Sequence, residues 1–173
     1  MYAFAADPPI EDTVGERLSE HDATLAVAET STGGMVTALL TAVPGASDYL
    51  DRAWMPYSYD SLREELGVTR EALDAEGVVS APVTRQLARR ARDLADATWG
   101  LSTTGIAGPG GGTPEKPVGT AYVGVAHAGE WGSETSDATV ESHEFAGDRA
   151  AVRERTSRAA LALLDEHLAA PDD

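Results

Sequence analysis

The sequence predicts an α/β layered domain with a mostly parallel sheet, and three observations predict it. Short apolar runs that suit buried strands alternate along the chain with segments whose apolar residues recur at helical spacing. The 173 residues, 42% hydrophobic and with 17 glycines, suffice for one core, and there is no cysteine to supply staples. No internal repeat or interdomain linker divides the chain, so residues 1–173 read as a single domain whose weak ends, 1–9 and 170–173, are expected to be mobile.

Val14 and Leu18 mark one face of a first helix, and Thr24-Leu25-Ala26-Val27-Ala28 reads as a buried strand. A tight polar turn, Glu29-Thr30-Ser31-Thr32-Gly33-Gly34, then leads into a helix carrying Met35, Val36, Leu39 and Leu40. After Pro44-Gly45 the aromatic and apolar stretch Leu50 to Ser58 suggests another strand, with a polar helix over Tyr59 to Leu66. Ser80, followed by Pro82, starts a further helix: the hydroxyl suits a cap, and a proline in the first turn loses no needed N–H. Val83, Leu87, Ala91 and Leu94 form its expected buried stripe. Trp99 to Thr103 and Thr120 to Ala126 are strands on either side of a long Gly/Pro loop, and Ala138 to Phe145 is a further strand. Asp148 to Leu168 closes the chain as a helix with Val152, Ala159, Leu163 and Leu164 inward.

Charge narrows the partners. Thirteen basic residues against 29 acidic ones give −16, which repels phosphate backbones and anionic membranes and so argues against nucleic acid or membrane binding. Lys116 is the only lysine; together with the acid excess this suggests a salt-rich cytoplasm in which screening makes a dense carboxylate surface tolerable. The N-terminus has no basic start and no sustained apolar core, so a soluble, cytoplasmic protein is expected. The four histidines, His21, His127, His143 and His167, show no metal-ligand spacing, and no metal is expected.

Three segments carry chemistry. In the turn Glu29 to Gly34, three hydroxyls and two glycines at a helix start present free backbone N–H groups and a dipole that favour an anion; alternatively, Thr32 or Ser31 merely caps the helix. The loop Thr104 to Thr120, Thr-Gly-Ile-Ala-Gly-Pro-Gly-Gly-Gly-Thr-Pro-Glu-Lys-Pro-Val-Gly-Thr, is neither a Walker loop nor a dinucleotide fingerprint, since it lacks Gly-Lys-Ser/Thr at the required spacing and leads into a strand. It either brings backbone N–H groups to a ligand or is a flexible connection. In Phe145-Ala146-Gly147-Asp148-Arg149, Asp148 suits a helix cap, whereas an arginine in a first turn is electrostatically disfavoured and either reaches a carboxylate or awaits an anionic ligand.

These pieces, in this order, resemble the CinA C-terminal domain family. Ala28 to Gly34 is similar to the family's Ala-Glu-Ser-Cys-Thr-Gly-Gly turn, Pro44-Gly45-Ala46-Ser47 matches the segment that follows, and Thr104 to Gly119 is nearly identical to the family's Gly-rich loop. Gly77-Val78-Val79-Ser80 and Phe145 to Arg149 also fall in place, so the resemblance covers roughly Leu18 to Leu164. It implies a three-layer α/β/α sandwich with a mixed, mostly parallel five-stranded sheet. It also implies hydrolysis of nicotinamide mononucleotide to nicotinate mononucleotide and ammonia, without metal or other cofactor, by a serine assisted by a tyrosine and a lysine. A homo-oligomer is implied as well, with Trp54 and Tyr59 in a self-associating surface.

Carried over residue by residue, the resemblance makes Thr30, Ser31 and Tyr57 the catalytic candidates. Glu29, Thr32, Gly33, Gly34, Thr104, Gly105, Ala107, Gly108 and Arg149 become the substrate-binding ones. The chain departs from the pattern where it matters most, and also carries Ser31 where many members have cysteine and Tyr59 where the family has asparagine. Thr30 stands where the family has its nucleophilic serine, and Leu62 where it has the lysine. Leucine accepts no proton, and neighbouring Arg63 stays charged at any working pH. Two functions follow: a nicotinamide-nucleotide amidase acting through Thr30 or Ser31 with Tyr57 and an unidentified base, or a non-catalytic or regulatory pyridine-nucleotide-binding homologue.

Overall fold

The computed structural model describes residues 3–169. The elements in chain order are α1 (Ile10–Glu20), β1 (Leu25–Glu29), α2 (Met35–Ala42), a 3₁₀ turn (Ala46–Asp48), β2 (Leu50–Trp54), α3 (Tyr59–Leu66), α4 (Arg70–Glu76), α5 (Ala81–Ala95), β3 (Trp99–Gly105), β4 (Thr120–His127), β5 (Asp137–Glu144) and α6 (Arg149–Leu168). The five strands form one mixed sheet in the order β2-β1-β3-β4-β5. β1 pairs in parallel with β2 and β3, whereas β4 is antiparallel to both of its neighbours, so β4 alone runs against the other four.

Strand alternation divides the core into two halves. Leu25 and Val27 of β1 pack with Leu101, Val123 and Val125 against α1, α2 and α6 on one face. Ala26 and Ala28 point the other way, to Leu62, Leu66, Leu73, Val83, Leu87 and Ala91 of α3, α4 and α5. The result is the three-layer α/β/α sandwich. On the α5 side Gly100, Ser102 and Gly124 are small, and Ser102 Oγ donates to the carbonyl of Thr84 at 2.7 Å, so helix and sheet approach closely.

Two sequence expectations need correction, and one helix is added to them. The strand expected over Leu50 to Ser58 ends at Trp54, since Pro56 offers no N–H to a ladder and the segment leaves the sheet for the site described below. β2 is an edge strand with residues 51–53 exposed. Leu94, expected in the buried stripe of α5, is exposed; the buried face is Val83, Thr84, Leu87, Ala88 and Ala91, and Leu94 falls beyond it in the last turn. Helix α4 is an addition, a seven-residue helix with one buried anchor, Leu73, and a Thr69 cap accepting from the N–H of Ala72.

The N-terminal segment from residue 3 is tied to α6; residues 1, 2 and 170–173 lie outside the described residues. The N–H groups of Ala3 and Phe4 donate to the two carboxylate oxygens of Glu154 at 2.9 and 2.8 Å, and the Arg158 guanidinium bridges Glu154 and Glu11 at 3.1 and 3.0 Å. Burial raises the Glu154 carboxyl pKa, but these N–H groups and Arg158 outweigh it and hold the group below its ordinary value of 4.5. A depressed folded pKa stabilises the fold above the unfolded value, and the contribution is lost as pH falls through the folded one. Glu154→Gln is therefore expected to cost about 2 kcal/mol at pH 7 and to flatten the acid limb of the stability curve below the ordinary carboxylate range. Denaturant melts from pH 7 to 3 check both; a variant with the acid limb of the unmodified protein contradicts the assignment.

Candidate functional site

Because β1, β2, β3 and β5 run in one direction, their C-terminal ends lie at one edge of the sheet, and so do the turn after Glu29, the segment after Trp54, the loop after Gly105 and the start of α6. Open α/β sheets bind ligands at this edge. A cleft of about 310 Å³ opens there, and Thr30, Ser31, Tyr57, Gly105, Ala107, Gly108 and Arg149 all line it. Its apolar wall comes from Pro56, Leu62, Val78, Val79 and Ile106, with Tyr59 beside Tyr57. Tyr57 and Tyr59 are exposed at the rim, whereas Leu62 is 1% exposed and joins the core beneath.

The turn is held from below. Thr30 is buried, and both its N–H and its hydroxyl donate to the main-chain carbonyl of Thr103, at 3.2 and 3.0 Å. Ser31 is half-buried, and its hydroxyl has no hydrogen-bond partner among the described residues. It faces Gly105, where a Cβ would come within 3.0 Å of the Ser31 oxygen. Gly105 is thus required by close approach, and the end of β3 gives Ser31 its room.

Five of the substrate-binding candidates stand outside the cleft lining. Glu29 is fully buried; its carboxylate accepts from the N–H of Val36 and Thr37 at 3.1 and 2.9 Å and from the hydroxyls of Thr32 and Thr37 at 2.6 and 2.7 Å. It therefore fills the anion position at the start of α2 itself, so N–H groups that the sequence reading offered to a ligand anion are taken by the protein's own carboxylate. Neither Thr32 nor Ser31 caps that helix; Gly34 is its first flanking residue and has no side chain to do so. Thr32 links Glu29 to Thr103, whose hydroxyl lies 2.7 Å away, and Thr104 pairs with Thr84 of α5 at 2.8 Å. Gly33 and Gly34 have φ of 61° and 86° and supply the left-handed bends that turn the chain into α2.

At the other side, Asp148 caps α6 by accepting from the N–H of Ala151 at 2.9 Å, as expected. Arg149 finds no carboxylate among the described residues. Its Nη1 donates to the Gly108 carbonyl at 2.7 Å and its Nη2 lies 3.4 Å from the Tyr57 hydroxyl. It is the only charged side chain lining the cleft among the described residues. Lys116, the single lysine, is elsewhere: its ammonium donates to the carbonyl of Glu76 at the end of α4. No lining residue is a histidine, lysine, aspartate or glutamate. Among the described residues no group of three or more His, Asp or Glu side chains is placed to hold a metal, and no helix is long and apolar enough to cross a membrane.

Two further features were not singled out in the sequence. Ile106 contributes to the apolar wall from within the Gly-rich loop, and Arg153 binds the turn that carries Thr30 and Ser31. A signal for Arg153 did exist, since it lies four residues after Arg149 and therefore on the same face of α6.

The chain was compared with known proteins. The family model for the CinA C-terminal domain matches residues 7–168. A CinA-like protein of Anaeromyxobacter dehalogenans is 47% identical over 155 residues, covering 90% of this chain and 36% of the relative. A CinA-like protein of Salinibacter ruber is 41% identical over 155 residues, with the same coverage of 90% and 36%. The chain thus spans a little over a third of the length of these relatives. Among solved structures, the competence/damage inducible protein CihA from Agrobacterium tumefaciens superposes with a TM-score of 0.85 at 31% identity, covering 97% of this chain and 99% of that one. A CinA superfamily protein from Enterobacter cloacae gives 0.86 at 26% identity, covering 95% and 94%.

Proposed function

The chain belongs to the CinA C-terminal domain family, and on that premise we propose that its cleft binds a pyridine mononucleotide of the nicotinamide mononucleotide class while lacking the means for efficient hydrolysis of the amide. Arg149, a guanidinium in the first turn of α6 with no carboxylate partner among the described residues, suits a phosphate. The apolar wall of Leu62, Val78 and Ile106, with Tyr57 and Tyr59 at the rim, suits a flat heteroaromatic ring. Thr30 and Ser31 supply hydroxyls for the carboxamide.

The observation that carries this reading is Leu62, buried and apolar, in the same cleft as the candidate nucleophile. Attack on the carboxamide carbon requires the hydroxyl proton to be removed, and the expelled ammonia requires a proton in return. Thr30 instead donates its proton to a peptide carbonyl, which is no base. Loss of general-base assistance lowers rate by about a hundred- to ten-thousand-fold, whereas none of the binding features depends on a base. The acid excess and the single lysine support action in a salt-rich cytoplasm, and the open edge of β2 beside exposed Met55, Tyr57 and Tyr59 supports a homo-oligomer.

Calorimetry and ammonia release with nicotinamide mononucleotide in molar salt test the proposal. Saturable binding with no more than trace ammonia is the expected result. Release at an enzyme-like rate overturns the loss of chemistry, and absence of binding overturns the ligand.

A further inference from the structure

Arg153 sits one helical turn along α6 from Arg149, and the two guanidiniums bind different segments around the cleft. Arg149 holds Gly108 of the Gly-rich loop and meets Tyr57. Arg153 lies on the outer side of the turn after β1: its Nε and Nη2 donate to the Thr32 carbonyl at 3.0 and 2.6 Å, and Nη2 is 3.4 Å from the Gly33 carbonyl. Gly33 makes room for it, since a Cβ at that position would be 3.2 Å from Nη2. In a chain of net charge −16, a half-buried arginine bonded to two carbonyls and to no carboxylate among the described residues is a costly arrangement to keep for bulk packing alone.

We propose that Arg153 is a positioning residue of the nucleotide cleft, holding the 30–34 turn so that the Ser31 hydroxyl stands unpaired and ready to bond the ligand. This rests on the nucleotide reading above. The turn is fixed on its sheet side by Thr30 against Thr103 and by Thr32 against Glu29, and on its outer side by Arg153. Ser31 lies between these ties, with its hydroxyl in the cleft and no internal partner among the described residues. A hydroxyl held unpaired in place meets a ligand without first giving up a protein bond, and the ordering it needs is already present before binding. Because Arg149 and Arg153 share one rigid helix, the contact that grips the ligand's phosphate and the contact that shapes the hydroxyl turn keep a fixed spacing.

The test compares Arg153→Met and Arg153→Lys with the unmodified protein by two measurements: calorimetric affinity for nicotinamide mononucleotide, and amide hydrogen exchange. Arg153→Met is expected to weaken binding about tenfold and to speed exchange in a peptide spanning 30–36, while amides of β3 and β4 keep their protection. Arg153→Lys, which restores a donor to the carbonyls, is expected to recover most of the affinity and the protection. Unchanged affinity or unchanged exchange in Arg153→Met overturns the proposal, as does a lysine variant no better than the methionine one. Should the unmodified protein bind no nicotinamide mononucleotide, the nucleotide reading falls by itself, and the exchange measurement still decides whether Arg153 shapes the turn.

Discussion

Replacing Thr30 with serine and Leu62 with lysine together is expected to create measurable nicotinamide-nucleotide amidase activity where each change alone gives little. The lysine would enter a wall formed with Val78, Val79 and Ile106, and the present side chain there is 1% exposed. Burial disfavours the ammonium, so its pKa falls toward neutrality and a fraction of the amine is free to take a proton at pH 7. Serine removes the methyl group that restricts the rotamers of Thr30, freeing the hydroxyl to leave the Thr103 carbonyl and turn toward an amine. Nucleophile and base act as a unit, so the gain is strongly non-additive, about a hundredfold or more over the better single variant. Ammonia release under saturating nucleotide measures it. If the unmodified protein already hydrolyses the nucleotide well and Leu62→Lys adds nothing, another group supplies the base. Loss of folding in the double variant is separated from loss of chemistry by its melting curve, which reads the fold without reference to the cleft.

Much of this geometry was legible before any coordinates. The strand that ends at Glu29, the loop after Gly105 and the arginine after Asp148 were each marked by turn residues following an apolar run, and parallel strands then bring them to one edge. What was not legible is the choice of hydrogen-bond partner inside the turn. Glu29 reads as a site residue because it opens a polar turn, yet its carboxylate folds back onto N–H groups seven and eight residues further along. Thr32, Thr103 and Thr104 look like hydroxyls of a loop or a strand end in sequence, and Thr84 is an unremarked position in a helix. In the fold they pair with one another and with Glu29 across β1, β3 and α5, contacts that only sheet register creates. β2 was legible as a strand, but nothing local distinguishes the edge strand of a parallel set from a central one except its charged residues, Asp51 and Arg52.

The same limit applies to glycine, and it sets the largest expected effect on stability. Gly100 is the second residue of the buried strand β3, where composition alone reads it as a weak strand former. In the structure it lies directly against the main chain of α5. A Cβ there would fall 2.0 Å from the Ala88 carbonyl oxygen and 2.9 Å from the Arg92 nitrogen, both main-chain atoms of the helix that no rotamer change displaces. Relief requires α5 to move off β3, and α5 is also tied to that strand by the Ser102 to Thr84 and Thr84 to Thr104 hydrogen bonds. Gly100→Ala is therefore expected to destabilise the domain by about 3 kcal/mol or more, at the upper end of overpacking changes, and to lower the melting temperature by about 10 °C in a chain of this size. Gly110→Ala is the control, since that glycine lines the cleft with nothing within 4 Å of its added Cβ and no left-handed backbone to strain; its melting temperature should stay within about 1–2 °C of the unmodified protein. Equal melting temperatures for the two variants would mean that α5 does not pack on β3 as described. A large loss confined to Gly100→Ala would show that main-chain contact between α5 and the start of β3, and not the loss of a strand glycine as such, sets the cost.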